Sequence, residues 1–454
     1  MDRGGAAVTL FHATPATALL RGATMLRGTS SQPALAAVDI TLCAGRITAI
    51  AEAGSGALPQ PTARIVEAGG LLCLPGLVDM HVHLREPGQT HKETLRTGTQ
   101  AAARGGFTYV ACMPNTRPVL DSTETLRELR QRIAEDAVIG VGIIAAVTQG
   151  SAGEELTDFA ALKAAGAVAL SDDGRGIQRA SVMRAALRRA GEVGLPLFAH
   201  CEDESLSHGG VIHEGCAAID RCLIGIPAES ESAHVARDIV LAERTSARYH
   251  VCHLSCAQSL RLVREAKARG QAVTCEVTPH HVLLCDANIL GDDGNYKMNP
   301  PLRSEDDRSA LVAGLIDGTV DAIATDHAPH TPTEKARGLL QAPFGVIGLE
   351  TALPLLYTRL VEPRLLSLAR LVQLLSTGPA HLLRIPAPSL QVGSEANLTL
   401  VDLHTTRPIC DAELRSKSRN TPFMSQSVRG WPVCTVAGGR VVYSELSTFP
   451  VEEI

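Results

Sequence analysis

Short apolar runs rich in Val, Ile and Ala recur through the middle of the chain, at Leu77–His83, Phe107–Met113, Val138–Val147, Ala167–Ser171, Pro196–Cys201, Arg248–Leu254, Ala272–Val277 and Asp321–Thr325. Each has the length of a strand buried on both faces. Between several of them the period changes from strand-like to helical. Glu124–Asp136 places Leu126, Leu129 and Ile133 on one face with charges opposite, and Gln258–Arg269 does the same with Leu260, Val263 and Ala266 before Gly270 supplies a stop. Strands alternating with helices over roughly 300 residues predict an α/β protein built on a (β/α)8, TIM-like barrel. An open doubly wound sheet is the less fitting alternative, because no Gly-x-Gly-x-x-Gly opens a helix after the first strand.

The flanks follow a different period. Ala23–Glu52 alternates in short runs around Cys43-Ala44-Gly45, and Asn397–Leu403 and Val433–Tyr443 read the same way, the last broken by Gly438-Gly439. These are hairpin-like segments. Lying at both ends of the chain, they predict a small β domain formed from N- and C-terminal segments. The expected division is a loose extension over 1–18, the β domain over 19–74 plus 388–445, and the barrel over 75–387, with helical Leu365–Leu383 closing it.

Composition narrows the class. The 454 residues are 45% hydrophobic and 20% charged, and no apolar run approaches the ~18 residues of a membrane helix. The formal net charge of −6 comes without a basic block, and aromatic residues are only 3%, which predicts neither a nucleic-acid nor a membrane partner. The 12 cysteines include no Cys-x-x-Cys, and Cys112, Cys252 and Cys275 sit inside apolar runs, as buried thiols of a reduced cytoplasmic protein do.

The candidate chemistry gathers at strand ends. The first strand closes in Asp79-Met80-His81-Val82-His83, and side chains two apart on a strand share a face, so His81 and His83 can approach one metal ion. His200 closes the fifth strand, His253 the sixth and Asp326 the eighth, while Asp172-Asp173 follows the fourth. The C-terminal ends of barrel strands converge on one mouth. Imidazoles and carboxylates meeting there form a ligand set suited to Zn2+. His250 is expected to pack or hydrogen-bond, and His280 and His281 to support rather than ligate. His12, His208, His213, His234, His381 and His404 fall in no constellation.

The segments Pro75–Gly88, Met113-Pro114-Asn115-Thr116, Ala199-His200-Cys201-Glu202-Asp203, Glu276-Val277-Thr278-Pro279-His280-His281, Lys297–Arg303 and Ala324–His330 strongly resemble the dihydroorotase family of the amidohydrolase superfamily, in the right order from about residue 20 onward. The resemblance implies reversible cyclisation of N-carbamoyl-L-aspartate to L-dihydroorotate and water, in pyrimidine synthesis. It implies one or two zinc ions, with His81, His83 and Asp326 on one, His200 and His253 on the other, and a bridge at the fourth strand. Many superfamily members bridge with a carboxylated lysine. Here Lys163 lies too early, so the chain is similar to the subgroup with an aspartate bridge, Asp173 being the matching residue and Asp172 the runner-up.

The same resemblance implies Asp326 as general base and Arg85, Asn115 and His330 as partners of the substrate carboxylate. It further implies Asn299 as a substrate contact, and Phe344 and Gly345 in a loop whose backbone meets the pyrimidine ring. Homodimerisation and association with aspartate transcarbamoylase are the implied macromolecular contacts. Hydantoinase and allantoinase share the barrel and the His-x-His, so the carboxylate pocket is what separates them; a non-catalytic scaffold would have lost ligands. The segment Thr331–Ala342 is expected to be mobile, from its Gly and charged residues.

Overall fold

The computed structural model describes residues 17–29, 32–55 and 64–451, so most of the predicted N-terminal extension lies outside the described residues. Eight parallel strands follow one another around a nearly closed barrel: Leu77–Val82, Phe107–Cys112, Gly140–Ala145, Ala167–Ser171, Leu197–Ala199, Tyr249–Val251, Val273–Val277 and Ala322–Ile323. Every predicted strand is present. The ring closes through a parallel bridge between Val82 and His327, where the His83 amide donates to the His327 carbonyl at 2.8 Å.

Helices return the chain outside the barrel. Thr123–Asp136 buries Leu126, Leu129 and Ile133, the predicted stripe, and starts at a Ser122 cap whose hydroxyl accepts from the Thr125 amide. Ala257–Ala268 buries Leu260, Val263 and Ala266 in the same manner. The last helical stretch, Leu368–Leu383, is tied to the start of the first strand by Ser376, whose hydroxyl donates to the Gly76 carbonyl at 2.7 Å. Inside the barrel, Val78, Met80, Ile144, Ala169, Phe198 and Ala322 belong to one buried cluster, a packed floor rather than a pore.

The second sheet is mixed and draws on both ends of the chain. Its order runs Arg440–Ser444, Trp431–Ala437, Leu398–Asp402, Leu71–Pro75, Ala18–Thr29, Gln32–Cys43 and Arg46–Glu52, with Arg64–Glu67 paired to Ala18–Thr29. The junction is the antiparallel pairing of Leu71–Pro75 with Leu398–Asp402. Leu20, Val38, Ile40, Leu398, Leu400 and Val436 fill its core. Arg104, on the helix after the first barrel strand, sits over Trp431 and donates to the Pro432 carbonyl at 3.0 Å, joining sheet and barrel. None of the twelve cysteines forms a disulfide; burial pushes the Cys112 thiol up to about 12.

Candidate functional site

The predicted ligands meet at the C-terminal mouth of the barrel, and they divide into two sets around one carboxylate. His83 Nε2 lies 2.9 Å from Asp326 Oδ1, and His81 Nε2 lies 3.5 Å from the same oxygen. On the other side, His200 Nδ1 and His253 Nε2 are 2.9 Å apart, and each is 3.7 Å from Asp173 Oδ1. That oxygen is also 3.4 Å from His81 Nε2, while Asp173 Oδ2 is 3.6 Å from His83 Nε2. Asp173 therefore stands between the two sets. Its neighbour Asp172 points away: it accepts from the Val147 and Thr148 amides at 2.8 and 3.1 Å and from the Thr148 hydroxyl, fastening the loop after the third strand.

The ring orientations are set from behind. His81 donates Nδ1–H to Glu276 Oε1 at 2.6 Å, which leaves Nε2 as a lone pair facing Asp173. Glu276 also receives Nε2–H of His250 at 3.2 Å, and His250 Nδ1 meets the Thr274 hydroxyl at 2.9 Å. His83 donates Nδ1–H to Asn115 Oδ1 at 2.9 Å, and His200 donates Nε2–H to Glu202 Oε2 at 3.2 Å. His81 Nε2 and Asp173 Oδ1 are buried acceptors without a hydrogen-bond partner, facing each other. Two facing acceptors are unfavourable unless a cation or proton lies between them. The nitrogen and oxygen donor set fits a metal such as zinc.

The electrostatics agree with this. Burial opposes charge on His81, but Glu276, Asp326 and Asp173 outweigh it and hold the imidazole well above its ordinary range. Asp173 and Asp326 are driven below the usual carboxylate range, burial being overcome chiefly by His81. The metal-free cluster thus holds protons where a metal would supply charge.

Beside the ligands opens a cavity of about 260 Å3, lined by His83, Arg85, Asn115, Asp173, His200, His253, Asn299, Asp326, His330, Phe344 and Gly345, together with Gln89, Lys92, Gly174 and Ala328. His81 is fully buried at its base. Arg85 is brought in by a left-handed residue conformation (φ 60°), as are His253 (φ 32°) and Asp326 (φ 48°). Burial lowers the Arg85 guanidinium only to about 10, so it stays charged at neutral pH. Burial, then Arg85, Lys92 and Lys335, push His330 down to about 2, leaving a neutral imidazole.

The predicted substrate contacts Asn115 and Asn299 are engaged with protein side chains. Asn115 joins the ligand sets, accepting from His83 and donating Nδ2–H to Asp173 Oδ2 at 3.1 Å. Asn299 donates to Glu202 Oε2 at 2.7 Å. The segment Thr331–Ala342, expected to be mobile, contains two short helices, Pro332–Lys335 and Gly338–Gln341. Buried Lys335 donates from Nζ to the carbonyls of Lys297, Pro343 and Gly345 at 3.0, 2.9 and 2.9 Å, pinning the Phe344 loop. Gly345 is required there: at φ 132° an added Cβ would lie 2.7 Å from that of Ala328.

Sequence reasoning missed Glu276, Glu202 and Lys92. A glutamate inside Val273-Thr274-Cys275-Glu276-Val277 was the available signal, because a carboxylate in an apolar strand needs a partner. His234 joins Cys201 and Asp238 in a buried group behind the fifth strand, where its Nδ1 meets the Glu202 carbonyl at 2.9 Å and Tyr249 donates to Asp238 at 3.1 Å.

Residues 70–259 match the dihydro-orotase-like family. Over 401 residues the chain is 52% identical to the dihydroorotase of Geobacillus sp. (strain WCH70), covering 88% of this chain and 93% of that one. Over 379 residues it is 54% identical to the dihydroorotase of Shouchella clausii (strain KSM-K16), covering 84% and 89%. Among solved structures, the L-hydantoinase (dihydropyrimidinase) from Arthrobacter aurescens superposes with a TM-score of 0.84 at 24% identity, over 96% of this chain and 97% of that one. That likeness is one of fold.

Proposed function

The chain belongs to the dihydroorotase family of cyclic amidohydrolases, and from that premise we propose a zinc-dependent enzyme of de novo pyrimidine (UMP) biosynthesis that interconverts N-carbamoyl-L-aspartate with L-dihydroorotate and water. The observation that carries this reading is the facing pair His81 Nε2 and Asp173 Oδ1, unpartnered beside a cavity that also holds Arg85 and His330. In it, His81, His83 and Asp326 would hold one ion and His200 and His253 a second, with Asp173, in place of a carboxylated lysine, as the residue shared between the two sets. Bound zinc would supply a water activated near neutral pH and would polarise the ring carbonyl.

The remaining work belongs to the chain. Asp326 takes the proton of the attacking water during ring opening and returns it to the departing ring nitrogen; in cyclisation the transfers reverse. A carboxylate held so low is a weak base, so its competence rests on placement beside His83 rather than on basicity. Arg85 binds the substrate carboxylate through its guanidinium, with neutral His330 beside it. Asn115 and Asn299 contribute through the network they share with Asp173 and Glu202. The Phe344–Gly345 backbone, held by Lys335, meets the ring.

The proposed catalytic unit spans 75–387, and 19–74 plus 388–445 form the small β domain. A cytoplasmic homodimer, with aspartate transcarbamoylase as a partner, completes the reading; twelve cysteines without a disulfide accord with a reducing compartment. The test is a joint measurement of zinc content and L-dihydroorotate turnover, with hydantoin and allantoin as controls. Turnover lost in Asp326→Ala and strongly weakened in Arg85→Ala supports the assignment. Turnover of hydantoin or allantoin instead would sink it, and zinc without any turnover would favour a scaffold.

A further inference from the structure

Lys92 stands at the lip of the cavity, and no role in the reaction has been given to it above. Its Nζ lies 3.2 Å from His330 Nδ1 and 3.0 Å from Glu334 Oε1. An ammonium has donors only, so His330 Nδ1 must meet it with a lone pair. The imidazole proton then resides on Nε2, where the Phe344 carbonyl accepts it at 2.8 Å. Arg85 Nη2 is 3.2 Å from that same nitrogen. Two N–H groups cannot bond to each other, so His330 does not consume the guanidinium, which is steadied instead by Nε donating to the Pro329 carbonyl at 3.1 Å.

We propose that Lys92 is a positioning residue for the substrate carboxylate: it locks His330 as the tautomer protonated on Nε2 and bonded to the Phe344 carbonyl, so that Arg85 keeps its Nη2–H groups for the carboxylate instead of donating one to His330. This rests on the reading of the pocket as a carboxylate site. The competing arrangement is visible next door. Glu334 Oε2 lies 3.7 Å from His330 Nδ1, beyond hydrogen-bond reach but close enough for its charge to favour a proton on that nitrogen. Without Lys92, the proton moves to Nδ1, and Nε2 becomes a lone pair into which Arg85 donates. The guanidinium that should face a carboxylate would then be tied to the ring. The charged groups around the ring are Arg85, Lys92, Lys335 and Glu334, and the three cations, with burial, keep it from taking up a second proton.

The experiment pairs kinetics with nitrogen NMR of histidine-labelled enzyme, the His330 signals being assigned through His330→Gln. Lys92→Met should raise KM for L-dihydroorotate about tenfold, equivalent to about 1.4 kcal/mol. The change in kcat should stay within about threefold, as for binding common to ground and transition states. Inhibition by orotate, which carries the carboxylate, should weaken in proportion, and inhibition by uracil, which lacks it, should not change. Lys92→Arg keeps a cationic donor and should restore KM. In the wild type Nδ1 should resonate as unprotonated and Nε2 as protonated, and in Lys92→Met the two should exchange. An unchanged KM and orotate affinity, equal losses for orotate and uracil, or a protonated Nδ1 in the wild type would each overturn the proposal. If the wild type fails to turn over dihydroorotate, the functional reading falls, and the nitrogen spectrum alone decides the role of Lys92.

Discussion

Glu276 Oε1 lies 2.6 Å from Nδ1 of His81, both side chains fully buried, and the contact fixes which nitrogen of His81 faces the ligand cluster. Nothing on the His81 strand could do this, because the glutamate comes from the seventh strand. Glu276→Gln keeps the shape and can still accept through its amide oxygen, but it removes the negative charge that strengthens the imidazole as a ligand. Metal affinity should fall about 10–100-fold. Competition against a chelator of known strength measures it, and an unchanged affinity would remove Glu276 from the site.

Asp172 and Asp173 are neighbours with separate tasks, and two parallel substitutions should part them. Asp173→Asn should abolish turnover and reduce the bound metal. Asp172→Asn should keep the metal and lose about 1–3 kcal/mol of stability, because an amide NH2 replaces Oδ2, the acceptor of the Thr148 hydroxyl, while Oδ1 can still accept from the Val147 and Thr148 amides. Metal analysis beside chemical denaturation distinguishes them, and the reverse pattern would move the bridge to Asp172.

Metal binding should release protons. In the metal-free protein the His81 pKa is raised well above its ordinary value, and His200 is raised too, burial being outweighed for His200 by Glu202 and Asp173. A metal must displace those protons, so affinity should rise with pH through the neutral range and fall as the solution is acidified. Calorimetry in buffers of different ionisation enthalpy counts the protons directly. Binding with no buffer dependence would contradict the charge state inferred for the cluster.

Much of this was legible in the sequence because barrels put their chemistry where strands end. His81 and His83 announced themselves by spacing, and His200, His253 and Asp326 by closing apolar runs. The choice of Asp173 over Asp172 came from resemblance, and the backbone amides that occupy Asp172 belong to a different loop. Glu202 and Lys92 were not legible, because their partners His200, Asn299, His330 and Glu334 meet them only after the mouth is assembled. The joining of the end segments in one sheet followed from their shared period of two. The anchoring of Thr331–Ala342 did not, since three backbone carbonyls gathered around Lys335 leave no side-chain pattern to read.

The left-handed residue at Asp326 (φ 48°) is a site where function opposes stability. A non-glycine residue there costs about 1–2 kcal/mol. Asp326→Gly and Asp326→Ala should both be inactive, yet the glycine variant should be the more stable by about 1 kcal/mol once its greater unfolded-state freedom is subtracted. Denaturant midpoints of the two metal-free variants, measured side by side, test it. An alanine variant equal to or above glycine would show that the backbone relaxes.

Lys335 supplies a pH dependence of the opposite origin to that of the ligands. Burial, then Lys297, lowers it from 10.5 to about 7. The folded protein therefore gives up this proton above about pH 7, whereas the unfolded chain keeps it to about 10.5. Between those values the unfolded state holds more protons, so this group makes stability rise with pH, by at most about 1.4 kcal/mol per pH unit. Three carbonyls hold the ammonium without fully offsetting its desolvation. Urea unfolding of wild type and Lys335→Met should diverge with rising pH in this window, the wild type gaining; parallel curves would refute it.

The pairing of Leu71–Pro75 with Leu398–Asp402 has a consequence in time. Its partners lie more than three hundred residues apart, with Leu71 opposite Asp402. On a ribosome the early strand waits through synthesis of the entire barrel before its neighbour exists, and until then one of its edges is open to strands of other nascent chains. The barrel can begin to assemble from contacts between successive strands, but the sheet beside it belongs to the finished polypeptide. A nascent chain stalled before residue 398 carries the complete set of candidate metal ligands above an unfinished sheet.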